Sequence, residues 1–113
     1  MATRTFTTDQ HVTTAQVAWA DIATGDTMVA YEISDQAGLA GSVQFAGTFG
    51  GATVTLTGSN DGTNYVTLVD QTGSLISASS AGLVEFSTSC RYIKPGITGG
   101  TSDAVDVTVV LRG

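Results

Sequence analysis

Ala52, Val54 and Leu56 alternate with Thr53, Thr55 and Thr57, so one side of this stretch is apolar and the other polar. A period of two belongs to a half-buried β-strand, because successive side chains of an extended chain point to opposite sides. The alternation stops at Gly58-Ser59-Asn60-Asp61-Gly62-Thr63-Asn64-Tyr65, and extended character resumes from Tyr65 to Val69. Asn60-Asp61-Gly62 therefore reads as a turn in which Gly62 takes a positive φ.

The same signature recurs along the chain. Ala15, Val17 and Trp19 share a face within a strand expected over Val12 to Ile22. After the turn Thr24-Gly25-Asp26, a strand over Thr27 to Ser34 sets Val29, Tyr31 and Ile33 against Ala30, Glu32 and Ser34. Asp35 to Gly41 breaks the pattern. It restarts with Val43, Phe45, Gly47 and Phe49 opposite Ser42, Gln44, Ala46 and Thr48, and Gly50-Gly51 then reads as a two-residue hairpin into Ala52–Gly58. Asp70-Gln71-Thr72-Gly73 turns again and Ser77 to Gly82 reads as a loop. Leu83 to Phe86 and Arg91 to Thr98 read as short strands, the second held to an edge or a bulge by Pro95. After the loop Thr98 to Asp103, Val105, Val107, Val109 and Leu111 share one face of a closing strand.

About eight short antiparallel strands at spacings near ten residues predict an all-β, single-domain β-sandwich or jelly roll. Val43, Phe45, Val54, Leu56, Val107 and Val109 are its expected core. Residues 1–10 are polar and Thr-rich and read as a flexible amino-terminal arm, leaving 11–113 as the sandwich domain. At 113 residues the chain buries one modest core, and its 14 Gly and single Pro suit strands joined by tight turns.

Ten acidic residues face only Arg4, Arg91, Lys94 and Arg112, for a net charge of −6. No basic stripe is present to neutralise phosphates, which argues against nucleic acid and against anionic membranes. No apolar run approaches the roughly 20 residues of a membrane span, and the start lacks the apolar region of a signal peptide, so synthesis in a cytoplasm is expected. Cys90 is the single cysteine, which leaves stability to packing or assembly.

Residues that carry chemistry are sparse. His11 is the one histidine, and a Ser-His-Asp triad would have to be built on the expected arm, so it reads as a solvated polar residue. Cys90 precedes Arg91, which could lower a thiol pKa, but it reads as a small buried or half-buried strand residue. Asn60, Asp61, Asn64 and Asp70 suggest a calcium loop, yet the acidic residue that closes such a loop is missing, and a turn held by bonds to backbone amides fits better. Asp103 and Asp106 read as loop and solvent-face residues. Glu32 and Glu85 have no partner that spacing identifies for a glycosidase pair. Gly50-Gly51 and Gly99-Gly100 open no helix and are not phosphate loops. Trp19, Tyr31, Tyr65 and Tyr92 are candidates for a sugar-stacking platform, with core or inter-subunit packing the commoner role of such residues. No catalytic, cofactor-binding or metal-ligating residue is assigned, and no cofactor is expected.

The order Gly47-Thr48-Phe49, Gly58 to Tyr65, Leu68, Asp70, Arg91-Tyr92-Ile93-Lys94-Pro95 and Thr98-Gly99-Gly100 resembles small structural proteins of tailed bacteriophages, most closely the head decoration or capsid cement type. The resemblance spans about Trp19 to Leu111. It implies a non-enzymatic β-sandwich on the outer capsid surface of a virion, bound in many copies to the major capsid protein. It also implies a homo-oligomer, a trimer before a dimer. The Ser-Asn-Asp-Gly-Thr-Asn turn occurs as well in phage tail modules and in discoidin-like carbohydrate-binding sandwiches. A tail or receptor-binding carbohydrate module is therefore the alternative, although the discoidin pattern has a cysteine pair and a greater length.

Overall fold

A computed structural model describes residues 3–10, 14–33, 39–88 and 90–112. Twelve strands occur among them: β1 (Thr3–Arg4), β2 (Phe6–Gln10), β3 (Thr14–Ile22), β4 (Thr27–Met28), β5 (Tyr31–Glu32), β6 (Leu39–Thr48), β7 (Thr53–Ser59), β8 (Val66–Thr67), β9 (Ser77–Ala78), β10 (Gly82–Thr88), β11 (Tyr92–Thr98) and β12 (Ala104–Arg112). One five-stranded sheet runs β10-β6-β12-β3-β2. A second runs β5-β11-β7-β8, with β9 also on β7, and β1 and β4 form a short parallel pair. The inner sides of both five-stranded sheets feed a single apolar cluster, so the domain is a β-sandwich.

Alternation sets the core. In the first sheet, register aligns Phe6, Trp19, Val107 and Phe45 in one inward row and Val17, Val109 and Val43 in the next. Val54 and Leu56 face them from the second sheet, opposite Ile97 and Pro95. All six expected core residues are buried, as are Val105 and Leu111 of the closing strand. Trp19 is fully buried, and its indole N–H reaches the Val29 carbonyl at 2.9 Å, which satisfies the ring's one donor.

Several expectations are corrected. β6 and β7 do not form a hairpin. The tight turn is present, with Gly50 at φ 56°, Gly51 at φ 84° and the Ala52 N–H on the Phe49 carbonyl at 2.8 Å, but it carries the chain from one sheet to the other. Both edges of β6 are taken by β10 and β12, which leaves β7 to pair with β11. Thr27 to Ser34 is not one strand: β4 pairs with β1 and β5 with β11, Met28 is buried and Val29 is exposed. Ser77–Ala78, expected in a loop, pairs with Thr55 and Val54.

Residues 3–10 also differ from the expected arm, since β2 pairs along its length with β3. Phe6 anchors it, packing edge-on against Trp19 at 5.8 Å and Tyr31 at 5.3 Å between ring centres. Pro95 does sit at an edge among the described residues, because β5 pairs only with Tyr92 and Ile93 and no described strand pairs with that side of β11 beyond them. The break expected over Asp35 to Gly41 lies outside the described residues as far as Gly38, and β6 has begun by Leu39.

Candidate functional site

The turn after β7 is built by two side chains. Ser59, buried at the end of the strand, accepts the N–H groups of Asp61 (3.3 Å) and Gly62 (3.0 Å) and donates its hydroxyl to Asp61 at 2.8 Å. Asp61 accepts the N–H groups of Thr63 (2.8 Å) and Asn64 (2.9 Å) and the Asn64 side-chain amide at 2.8 Å. Gly62 takes φ 76° with the Tyr92 ring beside it. This is the expected Asx-type turn. Its oxygens hold the loop's own donors.

Those bonds hold the Asp61 carboxyl well below the usual carboxylate range, the Asn64 and Thr63 amides first, then the Asn64 and Ser59 side chains. Asp70 is lowered chiefly by the Thr72 hydroxyl, and Asp103 chiefly by the Thr24 hydroxyl. A carboxylate with a lowered folded pKa stabilises the fold above its unfolded pKa, about 4, and that contribution is lost as pH falls toward the folded value. Stability is therefore expected to drop as pH falls below about 4. Asp61→Ala should flatten that acid limb while lowering stability at neutral pH. Urea unfolding across pH 2–7, roughly the window of this linkage, measures both, and an unchanged acid limb would contradict the assignment.

Around the turn lies a patch of cationic, aromatic and amide side chains. The Lys94 ammonium stands 4.2 Å from the centre of the Tyr65 ring and the Arg91 guanidinium 5.4 Å from that of Tyr92. Burial first, then the neighbouring Tyr92, raises the Tyr65 pKa. Glu32 on β5 pairs with Arg91 at 2.6 Å. Two of the chain's four cations are thus gathered beside two half-buried tyrosines. A shallow depression of about 230 Å³ flanks the turn, lined by Gly58, Ser59, Asn60, Asn64, Leu68 and Cys90 among others.

The remaining candidates are scattered. Trp19 and Tyr31 belong to the core, which separates them from Tyr65 and Tyr92 and dissolves the four-ring platform. Glu85 lies on the outer side of the first sheet, in a depression of about 180 Å³ with Arg112, whereas Glu32 lies on the second sheet; the structure does not join them. Cys90 is half-buried between β10 and β11 rather than within a strand, where its thiol donates to the Tyr92 carbonyl at 3.4 Å. Asp103 fastens Thr24 through backbone and hydroxyl, and Asp106 accepts the N–H of Asp21, which sits at φ 55°. His11 lies outside the described residues. Among the described residues no group of three or more His, Cys, Asp or Glu could hold a metal ion.

Lys94 over Tyr65 was missed in sequence. The available signal was parity: Lys94 and Tyr92 both fall opposite the inward Ile93 and Pro95. No protein-family model matches the chain, and no curated protein matches it. Among the described residues no helix is long and apolar enough to cross a membrane.

Proposed function

We propose that this chain is a virion structural protein that decorates the outside of a tailed-bacteriophage capsid and stiffens the shell, with the major capsid protein as its partner and no substrate to turn over. The observation that carries the reading is a set of apolar side chains held out from a finished core. Val66, Val69, Leu75 and Leu83 are 70, 47, 64 and 65% exposed. Val69 and Leu75 face each other across a β-bridge, and the Gln71 N–H ties that hairpin to Glu85 of β10, the strand that carries Leu83. The Val69, Leu75 and Leu83 side chains, brought together by these links, offer apolar contact surface to a large protein partner. The sequence resemblance supplies the identity of that partner, and the acidic surface suits a site away from packaged nucleic acid.

Binding to the assembled lattice in preference to its free parts raises the threshold for rupture by mass action. Full capsids stripped of the chain should release DNA at a lower temperature, and added purified protein should restore the original threshold. Identical rupture of stripped and decorated capsids would overturn the proposal.

A glycan-binding tail module is the second reading, favoured by Tyr65 and Tyr92 standing half-exposed beside Asn60 and Asn64. Against it, the Lys94 ammonium already lies over the Tyr65 ring, where a sugar would stack. Binding of a bacterial glycan by a chain without effect on capsid rupture would favour this second reading.

A further inference from the structure

The sheet edges are protected unequally. On β10, the Gln71 N–H reaches the Glu85 carbonyl and the Gln71 amide reaches Ser87, so a hairpin covers that edge. In the second sheet β5, β8 and β9 are two residues each, and the open stretch of β11 carries Lys94 and Pro95. Short strands, lysine, proline and covering loops are the devices that stop a strand from pairing with another chain. Among the described residues β2 is neither short nor covered, carries no lysine or proline, and has Asp9 as its one charge. It runs five residues in unbroken register with β3, no described strand lies on its other side, and Thr7, Thr8 and Asp9 are exposed.

We propose that β2 pairs with β2 of a second copy, antiparallel about a two-fold axis at Thr8, joining the two first sheets into one. The occupant follows from the strand's own pattern. Centred on Thr8, the register uses the whole strand and sets Thr7 opposite Asp9 of the second copy, twice over, a hydroxyl donor against a carboxylate acceptor. Thr7 and Asp9 align with Ala18 and Gln16 on the outer side of the sheet, so the opposed pair shares a face. Thr8 meets its own symmetry mate, and like charges nowhere stand opposite each other. An edge that pairs with itself closes at two copies, which favours a dimer over the trimer that the resemblance implies.

Sedimentation equilibrium of the full chain over a wide concentration range should give twice the chain mass. Thr8→Lys places two ammonium groups at the axis and should weaken the dimer by about 10-fold or more, with circular dichroism reporting that the fold is kept. In a Cys90→Ser background, Thr8→Cys should cross-link the dimer under mild oxidation, while Thr53→Cys on the second sheet should not. A monomer at every concentration, a trimer, a dimer indifferent to Thr8→Lys, or a folded Thr8→Cys chain that stays uncross-linked would each overturn the proposal. Capture of another protein's extended segment by a monomer would overturn it as well.

Discussion

Phe45→Ala should lower the free energy of unfolding by about 3 to 5 kcal/mol, the usual cost of emptying a buried aromatic site. Phe45 is 1% exposed, lies beside Val107 across β12 and belongs to the inward row that continues through Trp19 to Phe6. Both neighbouring strands are hydrogen-bonded along their length, so the backbone is poorly placed to collapse into the void. In a domain of this size the melting temperature should fall by more than about 10 °C. A variant melting within about a degree of the parent would mean that Phe45 does not face the core.

The second large effect is expected at the turn between the sheets. Gly50→Ala should cost about 2 to 5 kcal/mol, because two penalties coincide. At φ 56° an L side chain pushes its Cβ toward neighbouring backbone, and here that Cβ would strike the Thr101 carbonyl oxygen. The obstacle is backbone, not the movable end of a side chain. The same residue's carbonyl accepts the Thr101 N–H at 3.0 Å, so relief by displacement breaks the link between the two loops. Gly73, with a positive φ but nothing near its missing Cβ, is the control: Gly73→Ala should cost about 1 to 2 kcal/mol. Denaturant midpoints compare them, and equal losses would remove the role given to Thr101.

The two glycines illustrate what was legible in the sequence. Alternation assigned the buried faces of Ala15, Val17 and Trp19, of Val43 and Phe45, of Ala52, Val54 and Leu56, and of Val105 to Leu111 correctly, because inward and outward positions in a strand depend only on parity. Partner choice was not legible. Val43 and Phe45 on one sheet and Val54 and Leu56 on the other face the same core, so their pattern is the same whether the strands pair or pack face to face. β2 was hidden for a different reason: it has a single apolar residue, Phe6, and its threonines suit an edge as well as an arm. Val29 broke parity because the chain there leaves β4 for β5 of another sheet.

The Asp61 turn could be read directly, since Asx side chains bond backbone amides within a few residues. Lys94 over Tyr65 could not, as it depends on β11 lying beside β7, a pairing that no local pattern encodes. The outward Leu75 and Leu83 were equally obscure, because an apolar residue in a strand announces burial and not exposure.

Counting copies of the chain in purified full capsids tests the central proposal most directly. Decoration predicts a copy number comparable to that of the major shell protein, retained through gradient purification. A handful of copies per particle, or none, would contradict it.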